Sequence, residues 1–350
     1  MRHDRRGKKV KTNSAGIGKT LKHLFTEKII YVVLIVLVIA IICIEPRFLS
    51  LTNLQNILAQ SSTRIIIALG AGMVLMVRGC DLSTGRMIGL AAVISASLLQ
   101  TADYAYRMYP GLAELPLIVP LLLVVALCAV LGLLSGACVA VLKVPPIIAT
   151  LAMQLVLYGA CSIYFDREPY GAQPIGGITS DLTDIGIGSL KIGPVRIPYL
   201  TIIAVAAIVV MWVLWNKTKF GKHMYAVGGN PDAAQVSGVN VKKILMITYS
   251  LGAVMYAVAA VLEVGRIGTA SNTTGNGYEM DAIASCVVGG VSMSGGIGSV
   301  GGIVTGVFIF TVINYGLSFI GVNMYWQYIV KGLIILLAVI IDMRKYAKRK

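Results

Sequence analysis

The chain has 350 residues, of which 57% are hydrophobic and only 13% are charged. Soluble domains carry about 25% charged residues, so this composition excludes an ordinary soluble protein and indicates a membrane protein. The net charge of +15 is concentrated near the two ends of the chain. A basic groove with interleaved aromatic residues is not indicated, and nucleic acid is not an expected partner.

Taken in chain order, ten apolar segments approach the length of about 20 residues that a helix needs to cross a bilayer. They are 28–44, 64–79, 84–100, 116–142, 147–165, 199–215, 243–262, 281–292, 300–320 and 326–342. The second and eighth segments are short. The predicted fold is therefore all-α: a polytopic integral membrane protein with about ten transmembrane helices, some of them short or glycine-broken.

The basic residues indicate how these helices are oriented. With both termini in the cytoplasm, 22 Lys and Arg residues fall on the inner side and seven on the outer side, and Lys331 lies inside the last span. This excess is the asymmetry that the positive-inside rule requires. The predicted organisation is a basic cytoplasmic tail at 1–27, a membrane domain at 28–342 and a second basic tail at 343–350.

Two regions place acidic groups next to apolar runs. Asp81 and Ser83 lie between the second and third spans, while Glu279 and Asp281 open the eighth. An ionised carboxylate in a membrane usually lies at a helix end or in a wet interior. These residues therefore either cap helices at the interface or line a translocation path. Three polar amides on predicted spans are further path candidates: Gln60, Gln154 and Asn314.

The longest predicted inner loop, 216–242, contains a short helix with both ends marked. Asn230 is a good N-cap, Pro231 suits the first helical position, and Asp232 complements the positive end of the helix dipole. Gly238 is the expected left-handed stop. A helix of about two turns is marginal alone in water, so we expect this one to dock on another surface.

Two nucleotide-binding patterns are present and are rejected on context. A P-loop-like GIGKT at 16–20 follows a basic tail rather than a strand, and a GxGxxG at 296–301 lies between two membrane spans. We also find no acid–base pair, nucleophile triad or cluster of metal ligands. We therefore expect no catalytic residue, no metal and no cofactor in this chain, and any ATP-driven role requires a separate subunit.

The inner loop resembles the coupling segment of ABC-importer permeases. Its pattern GGNxxAAxxSGVN over 228–240 is similar to the permeases of bacterial monosaccharide importers for ribose, xylose, arabinose and galactose. Further similarities are DLS at 81–83, YEMDAIA at 278–284 and NYGL at 314–317. Segments 60–70, 213–241 and 325–342 most resemble permeases for galactose and methyl-galactoside. Met280, Cys80 and the longer basic N-terminus depart from the family pattern.

The resemblance implies a homodimer in the bacterial plasma (inner) membrane, in contact with membrane lipid, with the sugar path at the two-fold interface. A cytoplasmic ABC ATPase that binds ATP and Mg would dock underneath, and an extracytoplasmic sugar-binding protein would dock outside. The implied ATPase-coupling residues are Gly229, Asn230, Pro231, Asp232, Ala233, Ala234, Ser237 and Gly238.

Other functions stay open from the residues alone. The sugar could be ribose or xylose instead of galactose. An ion-coupled secondary transporter would need coupling carboxylates within spans and an inverted repeat, of which the sequence has few clear signs. An ion channel would need a filter, for which 289–302 is a faint candidate, and a membrane enzyme would need paired catalytic groups.

Overall fold

The computed structural model describes residues 29–167, 172–193 and 195–347, so the predicted tail at 1–27 lies outside the described residues. Within them, helices α1 to α13 are Ile29–Ile44, Leu51–Met76, Thr84–Leu98, Ile118–Ala140, Pro146–Phe165, Ser180–Ile187, Tyr199–Lys217, Lys219–Gly229, Pro231–Val236, Val241–Ile267, Tyr278–Val288, Val300–Phe319 and Met324–Ala347. A 3-10 turn, Pro46–Leu49, follows α1. Helix α13 thus runs into the predicted C-terminal tail, whose last residues, 348–350, also lie outside the described residues.

Within the described part of the chain, six helices are long and apolar enough to cross a membrane: α2, α4, α5, α7, α10 and α12. Ile35–Ile44, Thr84–Leu98 and Met324–Ile340 are shorter apolar helices. Only helices and closed barrels satisfy all their backbone groups in hydrocarbon. The chain is therefore a polytopic α-helical membrane protein.

Burial separates the helices into an inner and an outer set. The apolar span of α2 is 78% buried within the protein, whereas those of α4, α5 and α7 are 28%, 22% and 22% buried. Large apolar side chains on this outer set remain exposed, among them Leu122, Leu155 and Val210. Apolar surface of this extent is compatible with lipid rather than water.

Helix α2 corrects the predicted second span. It begins at Leu51 and contains 26 residues, whereas the sequence predicts a short span over 64–79. Ser61, Ser62 and Thr63 lower the hydropathy of its first half. Their hydroxyls donate hydrogen bonds inside the protein, Ser61 to the Ile57 carbonyl oxygen at 2.6 Å, for example. The predicted short eighth span is present as α11, which has 11 residues.

Helix α10 lies at the centre of the helical bundle and packs along α4, α2 and α3. Glycines on α4 allow this close approach: a Cβ on Gly132 would lie 2.6 Å from the Tyr249 carbonyl oxygen, and one on Gly136 2.9 Å from the Met246 Cα. Small residues at such positions let helix backbones pack tightly where lipid gives no hydrophobic drive.

The connection between α5 and α7 contains structure that the sequence does not predict. It holds helix α6 and a two-stranded antiparallel hairpin, with β1 at Ser189–Ile192 and β2 at Val195–Pro198. In the hairpin register Leu190 lies opposite Ile197. The all-α prediction is thus correct for the body of the protein, but it does not include this small hairpin.

Candidate functional site

The short helix expected in the inner loop is α9, Pro231–Val236. The Ala233 amide donates to Asn230 Oδ1 at 3.0 Å, as expected of an N-cap. Gly238 has φ of +86°, and its amide donates to the Gln235 carbonyl oxygen at 3.0 Å. The helix ends at Val236, two residues before this glycine, so it is shorter than predicted.

A second helix, α8 at Lys219–Gly229, immediately precedes α9 and is absent from the sequence-based prediction. The sequence does contain features that indicate this helix. Thr218 is an N-cap that accepts from the Gly221 amide at 3.1 Å. Met224 and Val227 are buried at helical spacing, so α8 packs one face on the protein body. The inner loop therefore contains two consecutive helices, α8 and α9, with a corner between them at Asn230.

Most of α9 faces away from the protein. Val236 is 90% exposed, and the predicted coupling residues Gly229, Asn230, Asp232, Ala233, Ser237 and Gly238 are also exposed. Pro231 is half-buried. Ala234 is the exception among the predicted coupling residues: it is 4% exposed and belongs to the protein core, so it fastens α9 to the body instead of facing outward.

A cavity of about 740 Å³ lies at the opposite half of the helical bundle, between α2, α11, α12 and α13. Three of the predicted path residues line it: Gln60, Asp281 and Asn314. Its further polar lining includes Arg64, Arg266, Asn276, Ser285, Thr311, Ser318, Gln327 and Lys331, and its aromatic lining includes Tyr278, Phe310, Tyr315 and Tyr328. Hydrogen-bonding groups and rings around one space suit a polar small molecule.

Asp281 is held by two cations in the cavity wall. Lys331 Nζ lies 3.1 Å from Asp281 Oδ1, and Arg64 Nη1 lies 3.9 Å from Oδ2. The Arg64 guanidinium carbon also lies 3.3 Å from the centre of the Tyr278 ring, which places a cation over an aromatic face. These contacts join α2, α11 and α13 at the cavity.

A buried carboxylate, that of Glu263, binds Tyr278 of the cavity wall. Glu263 is fully buried and accepts hydrogen bonds from Arg266 Nη2 at 2.8 Å, from the Tyr278 hydroxyl at 2.9 Å and from Thr63 Oγ1 at 2.8 Å. A buried charge requires such pairing. Because Tyr278 is fixed by Glu263, the ring beneath Arg64 has a defined position.

The other predicted path residues lie elsewhere. Asp81 Oδ1 accepts from the Ser83 amide at 3.0 Å and from its hydroxyl at 2.6 Å, so the Asp81–Ser83 pair forms the turn that leads into α3. Glu279 is buried with its carboxylate against Gly85 of α3. Gln154 lies half-buried on α5, one of the outer helices. Asp81 thus orders the turn before α3, while Ser83, at the N-cap position, makes no side-chain cap hydrogen bond to that helix.

The sequence does not predict that Arg64 and Lys331 line the cavity. The charge pattern puts Arg64 at the outer surface, because the predicted second span begins there, and it leaves Lys331 as an unexplained charge within the last span. A charged residue inside a predicted span could have indicated this position, since such residues usually face the interior of a helical bundle and pair there. Asp281, at the start of another span, is the partner of both.

The chain is similar to known permease proteins over most of its length. It is 54% identical over 321 residues to the galactose/methyl galactoside import permease protein MglC of Escherichia coli (strain K12), covering 92% of this chain and 95% of the relative. The protein of that name from Salmonella typhimurium is 53% identical with the same coverage. The ribose import permease protein RbsC of Escherichia coli is 37% identical, covering 90% and 92%. No solved structure matches the chain.

The family model described as "branched-chain amino acid transport system / permease component" matches residues 53–339, from the first turn of α2 to the second half of α13. That range contains the cavity, α8 and α9. Because the match covers far more than half of the chain, the protein belongs to this family of transport-system permease components.

Proposed function

We propose that the chain is the transmembrane permease subunit of an ABC importer that carries galactose or methyl-galactoside inward. One observation supports the sugar assignment above the others: identity is 54% and 53% to two galactose/methyl galactoside permeases but 37% to a ribose permease over similar lengths. Import of ribose or xylose is the alternative within the family.

The energy for import comes from a partner in this proposal. ATP and Mg are bound and hydrolysed by a separate cytoplasmic ATPase, which docks on α9. The exposed face of α9 supports this assignment, because a six-residue helix, capped at Asn230 and followed by a left-handed turn at Gly238, presents a surface that the other described residues leave uncovered. The coupling residues are those assigned above. Ala234 contributes from the face of α9 that packs against the protein body.

The cavity between α2, α11, α12 and α13 is the outer part of the sugar path. Gln60, Asp281 and Asn314 are placed to exchange hydrogen bonds with sugar hydroxyls, since amide and carboxylate groups accept or donate in the directions that hydroxyls require. In the assembled importer two copies of the chain form a homodimer with the path at the two-fold interface. A sugar-binding protein delivers galactose to the outer mouth.

The chain is a multi-pass protein of the bacterial inner membrane. Each of the ten predicted spans has a corresponding helix, and in this proposal all ten cross or enter the bilayer with both termini in the cytoplasm. Arg78, Lys143 and the basic residues of α8 then lie at the inner surface, where positive charge is favoured.

A competition assay tests the sugar assignment. The permease is reconstituted into liposomes with its ATPase and binding protein, and ATP-dependent uptake of labelled galactose is measured against an excess of unlabelled galactose, ribose or xylose. The proposal expects competition by galactose and none by ribose or xylose. Competition by ribose alone would show that the transported sugar is ribose and not galactose. Uptake driven by an ion gradient without ATP would show that the protein is an ion-coupled transporter and not part of an ABC importer.

A further inference from the structure

The turn after α2 contains a residue in a backbone conformation that L-amino acids rarely adopt. Arg78 has φ of +64°, and among the described residues the only other non-glycine residue in this region is Lys143, with φ of +58°, in the turn after α4. Residues held in this way persist when the surrounding structure fixes them, and they cluster at functional positions. The contacts of the Arg78 side chain are therefore informative.

The Arg78 guanidinium contacts the end of α8. Nε donates to the Gly228 carbonyl oxygen at 2.7 Å, and Nη2 donates to the carbonyl oxygen of Gly229. The last carbonyls of a helix lack partners within the helix, and a cation there also complements the helix dipole. Asn230, the next residue, is the N-cap of α9. Arg78 thus holds the corner at which α8 ends and α9 begins.

A third segment meets the other two at the same place. The Gly296 amide donates to the Met76 carbonyl oxygen at 2.9 Å, and the Tyr225 hydroxyl donates to the Gly298 carbonyl oxygen at 2.9 Å. A Cβ on Gly228 would overlap the Met76 carbonyl oxygen and lie 2.5 Å from the Gly296 amide nitrogen. We call residues 76–78, 228–229 and 295–298 the three-segment junction. Its backbones are in direct contact.

Two of the three segments continue to the cavity. Residue 76 ends α2, which carries Gln60 and Arg64 in the cavity wall, and residues 295–298 follow α11, which carries Asp281. The third segment carries α9. Rigid helices in direct contact can carry displacement from one site to another. The junction therefore connects the exposed helix to the two helices whose charged residues form the cavity wall.

We propose that Arg78 is a positioning residue that transmits movement of α9 to α2 and α11. The inference rests on the proposed function, because it takes α9 as the surface on which the ATPase acts. Arg78 itself touches neither sugar nor nucleotide. Without its guanidinium, α9 would still form and still bind the ATPase, but less of its movement would reach the cavity, because only the backbone contacts of the junction would remain.

Three variants test this in the reconstituted complex of permease, ATPase and binding protein. Arg78→Gly removes the side chain and leaves a residue that accepts a positive φ. Arg78→Lys keeps the charge but loses the forked donor geometry. Lys143→Gly is the matched control, because it removes the other basic residue with a positive φ, also at the inner surface. The readout is galactose transported per ATP hydrolysed, together with co-purification of the ATPase.

For Arg78→Gly we expect intact co-purification and continued ATP hydrolysis, with galactose per ATP lowered by about tenfold, inside the roughly 5–150-fold range typical of coupling between sites. Arg78→Lys should be intermediate, and Lys143→Gly should equal the unaltered protein. An unchanged ratio in Arg78→Gly would overturn the inference. So would loss of ATPase co-purification, which would make Arg78 part of the docking surface.

Two further outcomes have defined meanings. If Arg78→Gly fails to accumulate, the ratio in Arg78→Lys decides, with an unchanged ratio counting against the inference. If the unaltered complex transports ribose instead of galactose, the sugar assignment fails, and the same ratio measured with ribose tests Arg78. Failure of the inference and failure of the proposed function are therefore separate results.

Discussion

Lys331 and Asp281, which are 50 residues apart in the chain, form an ion pair in the wall of the cavity. Their side chains are 22% and 19% exposed, and Lys331 Nζ lies 3.1 Å from Asp281 Oδ1. Arg64 is a second cation on the same carboxylate. One anion between two cations leaves an excess of donors facing the cavity, which suits the oxygen-rich surface of a sugar.

Replacing Asp281 by Asn should destabilise the protein, because Lys331 and Arg64 would then lack their anionic partner. Truncating one member of a buried charge pair costs about 2–5 kcal/mol, and partial exposure here favours the lower end. Thermal unfolding of the detergent-solubilised protein measures this. The double variant Asp281→Asn, Lys331→Gln should recover part of the loss. Equal stability of the single variant and the unaltered protein would show that the pair contributes nothing.

Replacing Asn314 by Ala should slow galactose uptake, since the side chain lines the cavity and its amide is available to a hydroxyl. A lost hydrogen bond of about 1–1.5 kcal/mol corresponds to roughly tenfold in rate. Gln154→Ala is the control: it removes another amide from a membrane helix, α5, outside the cavity. Uptake rates at matched expression distinguish them. Equal loss in both variants would count against the cavity as the path.

Replacing Gly238 by Pro should uncouple ATP hydrolysis from uptake. Proline fixes φ near about −65° and removes the amide that donates to Gln235, whereas Gly238 needs φ of +86°. Gly321 gives a matched control, because its φ is +75° and its amide donates to the Ser318 carbonyl oxygen. We expect galactose per ATP to fall for Gly238→Pro and to be unaffected by Gly321→Pro. Normal transport by Gly238→Pro would remove α9 from the coupling role.

Replacing Gly132 by Val should destabilise the contact between α4 and α10. A Cβ there would lie 2.6 Å from both the Ala253 Cβ and the Tyr249 carbonyl oxygen, and overpacking of this kind costs about 1–3 kcal/mol. Gly159→Val on α5 is the control, since nothing lies within 4 Å of a Cβ at that position. The unfolding midpoint in detergent should fall for Gly132→Val alone. Equal midpoints would mean that α4 packs differently.

The helical membrane body was predictable from the sequence, because long apolar runs so poor in charge are typical of helices that cross a bilayer. The caps of α9 were predictable because N-cap and left-handed stop signals act within a few residues. The start of α2 was not predictable in this way. Thr63 is polar, and its partner, Glu263, lies 200 residues away. Its burial depends on a tertiary contact that no local pattern reveals.

The cavity was predictable only in part. Gln60, Asp281 and Asn314 were candidates because polar groups in apolar spans usually face an interior. Asp81 satisfied the same criterion and instead forms a turn with Ser83, since a carboxylate near a helix start serves local amides equally well. The local sequence does not distinguish these outcomes. Pairing with Arg64 and Lys331, on two other helices, is what distinguishes Asp281.

The most direct test of the account is a photo-crosslink from α9. A benzophenone amino acid is placed at Val236, which is 90% exposed, and as a control at Ile187, which is 72% exposed near the hairpin end of the protein. The reconstituted complex is irradiated while it hydrolyses ATP. We predict an adduct with the ATPase from position 236 and none from 187. A complex that imports galactose yet gives no ATPase adduct at 236 would contradict the account.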